Sequence, residues 1–138
     1  MSEPKTIVAV LDDEPKMRVA LKRLLGLHGF DVVVRATWDG FLSAAEDRHL
    51  GCLVLDLHMP GLSGFEILDQ MASMPRPVPT VVITGRNEPG NAARVRGLGA
   101  VNYLLKPLDE TSLVQAIHDA IAGEVPSVSI PADPDRDG

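Results

Sequence analysis

Ile7–Leu11 reads IVAVL, and Asp12, Asp13, Glu14 and Pro15 follow it at once. Every position of the run is apolar, so neither face of the segment is built for water. That is the pattern of a strand buried on both sides, as in a parallel sheet covered by helices. The abrupt change to three acids marks where the chain leaves the sheet. Working outward, four more apolar runs occur at Val32–Val34, Cys52–Leu55, Val81–Ile83 and Val101–Leu105.

The segments between these runs carry helical patterns. Met17, Ala20, Leu21, Leu24 and Leu25 recur at helical spacing, with Gly29 as a stop. Phe41, Leu42 and Ala45 form a weaker second helix. Ser63 with Glu66 makes a capping box that leads into Phe65, Ile67, Leu68 and Met71, before Pro75, Pro77 and Pro79 break the pattern. Pro89 suits the first turn of a fourth helix ending near Gly97 or Gly99. Asp109 caps a fifth, with Leu113, Val114, Ile117 and Ile121 on one face and Gly123 at its end. Strand and helix thus alternate through the chain, which predicts an α/β fold. The expected architecture is a doubly wound five-stranded parallel sheet with five helices covering both faces. Residues 1–123 form the domain, and 124–138, mixing Pro, Ser and Asp without periodicity, read as a disordered acidic tail.

The composition narrows the functional classes. At 138 residues, with 45% hydrophobic and 23% charged residues, the chain supports one compact core. The net charge of -6 and pI near 5.1 oppose direct binding to nucleic acid, whose protein partners are usually basic. About half of that charge falls after Gly123, where Glu124, Asp133, Asp135 and Asp137 face Arg136 alone. No apolar stretch is long enough to span a membrane, Met1–Thr6 lacks the pattern of a signal peptide, and Cys52 is the single cysteine, all of which predicts a cytoplasmic protein.

In an open parallel α/β sheet, ligands meet the carboxyl ends of the strands. Those ends carry Asp12 and Asp13, then Asp56, then Thr84, then Lys106 followed by Pro107. Crowded carboxylates raise one another's pKa unless cations offset them. A hard divalent ion such as Mg²⁺ prefers this kind of oxygen ligand and tolerates an incoming phosphate. A carboxylate held there can attack phosphorus to give an acyl phosphate, with a lysine and a hydroxyl stabilising the transferring group. A flavodoxin-like cofactor site is disfavoured, because Asp12-Asp13-Glu14-Pro15 stands where a Ser/Thr/Gly-rich phosphate loop is needed. An aspartyl phosphatase fits no better, since that class usually places a second acid two residues beyond the first in strand one and needs a cap domain.

Leu11–Glu14 (LDDE), Leu53–Gly61 (LVLDLHMPG), Val81–Gly85 (VVITG) and Gly99–Leu108 (GAVNYLLKPL), in that order, resemble the receiver domains of two-component response regulators, and FixJ-type receivers most of all. The resemblance runs from Thr6 to Ala122 and implies the strand order 2-1-3-4-5. It implies that Asp56 is the phosphoacceptor. Asp12 and Asp13 match the acidic pair that holds Mg²⁺ together with Asp56 and the backbone carbonyl of His58, Asp13 the more directly. Lys106 matches the lysine that pairs with the phosphoryl oxygens, and its bond to Pro107 is expected to be cis. Thr84 matches the switch hydroxyl and Tyr103 the aromatic that changes rotamer with it, swinging inward on phosphorylation.

The implied function is a phosphorylation switch and not a metabolic enzyme. Its partners are a sensor histidine kinase or a histidine phosphotransfer protein. A homodimer or protein partner would use the face made by the fourth helix, fifth strand and fifth helix, where Arg94, Arg96, Asp109 and His118 are expected. With no output domain in sequence, a stand-alone receiver is expected. Elsewhere the readings are structural. His28, His49, His58 and His118 lack metal-ligand spacing, and Asp133–Gly138 resembles half of a calcium loop without its final Glu. Trp38 and the methionines fill packing gaps.

Overall fold

The computed structural model describes residues 5–123; the tail expectation and the half calcium loop fall outside them. The elements are β1 (Ile7–Leu11), α1 (Pro15–Leu27), β2 (Asp31–Arg35), α2 (Trp38–Asp47), β3 (Leu50–Asp56), α3 (Gly64–Ala72), β4 (Thr80–Thr84), α4 (Asn91–Gly97), β5 (Asn102–Leu105) and α5 (Glu110–Ala122). The five strands are parallel, as the alternation predicts, in the order β2-β1-β3-β4-β5 that the resemblance implies.

Alternation along each strand divides the core in two. Ala9, Leu11, Leu53, Leu55, Val82 and Tyr103 face one layer, packed with Phe41 of α2, Ile67 and Leu68 of α3 and Val95 of α4. Val8, Val10, Cys52, Val54, Val81, Ile83 and Leu104 face the other, against Leu21 and Leu25 of α1 and Leu113 and Ile117 of α5. The central strands are therefore apolar through their middles, at Val8–Leu11, Cys52–Leu55 and Val81–Ile83, because each of these residues belongs to one layer or the other.

Local signals set the helix boundaries. Thr37 caps α2 by accepting from the Gly40 amide, and the Ser63–Glu66 capping box on α3 is present in full. α1 gives out at His28 before Gly29 turns with φ +89°, and α5 ends on Gly123 at φ +69°. Two sequence expectations shift. Pro89 lies outside α4, since Gly90 at φ +86° reverses the chain and the helix starts only at Asn91. Ile121 is 37% exposed: it sits past the rim of the core, and the buried stripe of α5 is Leu113, Ala116, Ile117 and Ala120.

One close approach bears directly on the end of β3. The Gly64 amide donates to the Leu57 carbonyl at 3.0 Å. A Cβ on Gly64 would stand 2.8 Å from the Leu57 Cα and 3.0 Å from its carbonyl oxygen, both backbone atoms that cannot swing aside. Gly64→Ala is expected to destabilise the fold by about 1–3 kcal/mol through this overpacking. Urea unfolding checks it, and an unchanged midpoint would contradict the contact.

Candidate functional site

The two-residue period of the strands assembles the site. Val8, Val10 and then Asp12 form one column; Cys52, Val54 and Asp56 form a second; Leu104 and Lys106 continue a third. The apolar members pack under α1 and α5. The charged members come where the strands run out from that cover, all on the same side of the sheet. In the β4 column between them, Ile83 is followed by Gly85, where an added Cβ would meet nothing within 4 Å. The space beside Asp56 and Lys106 is thus left open.

The charges lie close together. Lys106 Nζ is 3.5 Å from Asp12 Oδ2 and 3.9 Å from Asp56 Oδ2. Asp12 is wholly buried and Asp56 nearly so, while Asp13 is exposed at the mouth. One carboxylate oxygen from each of Asp12, Asp13 and Asp56 lies within 4.8 Å of the others. Asp12 is fixed on several sides: its Oδ1 accepts from the Glu14 amide at 2.9 Å, its own amide donates to the Arg35 carbonyl, and its carbonyl accepts from the Arg18 guanidinium at 2.8 Å. Asp56 Oδ1 accepts from the His58 amide at 3.2 Å. That amide hydrogen bond turns the chain so that residue 58 follows close on the carboxylate.

The electrostatics show the strain. Burial, and then repulsion from Asp12, push the Asp56 pKa up to about 6, against the lowering effects of Lys106 and the His58 amide. A single ammonium does not offset the acids around it. The donor set is hard, anionic and all oxygen, which fits a small divalent cation.

Thr84 ends β4 and is buried. Its hydroxyl donates to the Arg86 carbonyl and accepts from the Arg86 amide, both at 3.1 Å, so it serves the loop at residues 85–90. The amide of Lys106 donates to the Thr84 carbonyl at 2.8 Å, and the Lys106–Pro107 bond is cis. Tyr103 is completely buried with its hydroxyl toward the same loop. The inward swing expected on phosphorylation is therefore not available from this conformation, because the ring already occupies the inward position.

The expected output face is only partly assembled as the sequence suggested. Arg94 of α4 lies with its guanidinium 3.8 Å above the Phe65 ring of α3. The His118 ring meets Phe30, with centroids 5.3 Å apart, on the side of α5 toward β2. Arg96 and Asp109 are exposed, and Asp109 caps α5 through Ser112. Sequence reasoning missed Arg18 and Asn87. Arg18 looks like any polar position on an amphipathic helix, and Asn87 like any loop residue.

A family model described as the response regulator receiver domain matches residues 8–118. The chain belongs to that family. Among its relatives, the transcriptional regulatory protein FixJ of Rhizobium meliloti strain 1021 is 35% identical over 113 residues, covering 82% of this chain and 55% of FixJ. FixJ of Bradyrhizobium diazoefficiens is 36% identical over 120 residues, covering 87% of this chain and 58% of that protein. The chain thus spans little more than half the length of these curated relatives. The crystal structure of FixJ-N superposes with TM-score 0.79 at 33% identity, covering 87% of this chain and 96% of that one. Chemotaxis protein CheY4 of Vibrio cholerae, at 23% identity and TM-score 0.76 over 85% of this chain and 99% of that one, shares the fold. Receiver domains are signalling switches of two-component systems that act with histidine kinases and effectors. Among the described residues no helix is long and apolar enough to cross a membrane.

The raised Asp56 pKa has a measurable sign. A carboxyl whose folded pKa exceeds its unfolded value of 3.8 favours the folded state below that value, and the benefit is lost as pH rises through about 6. Above that pH the buried charge works against folding. In EDTA, Asp56→Asn is expected to stabilise the receiver at pH 7.5 by about 1–3 kcal/mol. The gain shrinks toward pH 4.5. Thermal unfolding of both proteins across this range checks it; a gain independent of pH would contradict the assignment.

Proposed function

We propose that Asp56 accepts a phosphoryl group from the phosphohistidine of a sensor histidine kinase or a histidine phosphotransfer protein. The observation that carries this reading is a nearly buried carboxylate at the carboxyl end of β3, held within 4 Å of an ammonium and beside two further acids. An Asp56 oxygen attacks phosphorus, the bond from phosphorus to the imidazole nitrogen breaks, and the nitrogen leaves with its electron pair to be protonated. The product is an acyl phosphate on Asp56.

Asp12, Asp13, Asp56 and the His58 backbone carbonyl are the residues that would hold Mg²⁺. When bound, the ion supplies charge neutralisation to the transferring oxygens. Lys106, already between Asp12 and Asp56, offers its ammonium to the phosphoryl group. Thr84 exchanges its bond to the Arg86 carbonyl for one to a phosphoryl oxygen. The rearranged loop then alters a partner-binding face around α4, β5 and α5, where a homodimer or effector docks. A phosphodonor of this kind places the reaction in the cytoplasm.

Residues 1–123 form the receiver in this reading. The protein is either a stand-alone receiver or a receiver joined to a DNA-binding effector, and the greater length of the FixJ relatives favours the second. An immunoblot separates the two: a native product at 14.8 kDa fits the first, and one near the relatives' length fits the second.

Incubation with phosphoramidate and Mg²⁺ is expected to add one hydroxylamine-labile phosphate by intact mass. Asp56→Asn should add none, and Asp13→Ala should lose the reaction at ordinary magnesium levels. A phosphorylated Asp56→Asn protein would overturn the assignment.

A further inference from the structure

Tyr103 and Thr84 share one face of the sheet, since Val82 pairs with Tyr103 and Thr84 with Leu105. The buried tyrosine ring therefore lies beneath the loop that the Thr84 hydroxyl holds. A buried tyrosine hydroxyl needs an acceptor, and leaving it unpaired is costly. Two stand within reach: the Asn87 carboxamide oxygen at 3.2 Å and the Arg86 carbonyl at 3.4 Å. The Arg86 carbonyl already accepts from Thr84 at 3.1 Å, so the nearer acceptor, and the one not shared with Thr84, is the side chain of Asn87.

We propose that Asn87 is a positioning residue that holds Tyr103 in its inward rotamer in the unphosphorylated receiver. The inward tyrosine is then part of the resting state. When Thr84 leaves the Arg86 carbonyl for a phosphoryl oxygen, Tyr103 stays tethered through Asn87. What changes is the loop at residues 85–90 and the start of α4, with the tyrosine as their anchor. This consequence for signalling rests on the reading of Asp56 and Thr84 given above; the Asn87–Tyr103 contact does not.

Tyr103 is the chain's single tyrosine, so 3-fluorotyrosine incorporation into the full chain gives one fluorine resonance. Without Mg²⁺ or a phosphoryl mimic, the wild-type resonance is expected at a buried position, shielded from a soluble gadolinium chelate. Losing one neutral hydrogen bond in Asn87→Ala should raise the outward population, and with it the relaxation by the chelate, about fivefold. Asn87→Asp keeps an acceptor and should restore the shielding, a rescue that a merely structural role would not produce. Equal shielding in wild type and Asn87→Ala overturns the proposal, as does Asn87→Asp behaving like Asn87→Ala. Phosphorylation of Asn87→Ala by phosphoramidate should proceed as in wild type. Beryllofluoride with Mg²⁺ forms the separate arm: silence there, with the Asn87 effects intact, counts against the phosphoryl reading and leaves the Asn87 assignment standing.

Discussion

The Lys106 ammonium, 3.5 Å from Asp12 and 3.9 Å from Asp56, is the contact on which this receiver's chemistry turns. Two nearly buried carboxylates side by side repel strongly, and burial itself penalises their charged forms. Lys106 reduces that cost without removing it, and Asp56 is left with a pKa of about 6. The pocket is therefore short of positive charge. That shortage is what a divalent cation would meet, and under the proposed function it would let the same small space admit a phosphoryl group.

The rest of the fold serves to keep this arrangement from relaxing. The charged residues cannot separate, because each continues a strand column whose earlier members are locked into the core beneath α1 and α5. Asp12 cannot turn away, because Glu14, Arg35 and Arg18 hold its side chain and backbone. In the proposed switch the opposite face of the sheet carries the response. There Thr84 and Tyr103 both bond into the loop at residues 85–90. Under that proposal the Thr84 hydroxyl trades the Arg86 carbonyl for a phosphoryl oxygen, which would turn a local charge change into a loop rearrangement.

The strands and the charged residues at their ends were legible in the sequence for a simple reason, while their order in the sheet followed from the resemblance to receiver domains. Apolar runs such as IVAVL and LVL can only be buried strands, and whatever follows them must stand at a sheet edge. Asp12, Asp56, Thr84 and Lys106 were thereby placed before any contact was known. The misplaced features depend on side-chain direction or on a single backbone angle. Pro89 fell outside α4 because Gly90 turns left-handed. Arg94 turned to the Phe65 ring and His118 to Phe30, pairings between elements distant in sequence. The rotamer of Tyr103 is set by Asn87 and Arg86, whose spacing from it carries no motif. Arg18 likewise is recognisable only once the turn after β1 brings the Asp12 carbonyl to it.

The central claim is that Asp56 sits in an under-neutralised acidic pocket that a divalent cation completes. Isothermal titration of Mg²⁺ in buffers of different ionisation enthalpy measures the protons released on binding. Near pH 6, where Asp56 is half protonated, the account predicts release of about half a proton per ion, falling toward zero at pH 8. Asp56→Asn should abolish that pH-dependent release. Binding at pH 6 with no proton release would contradict the account.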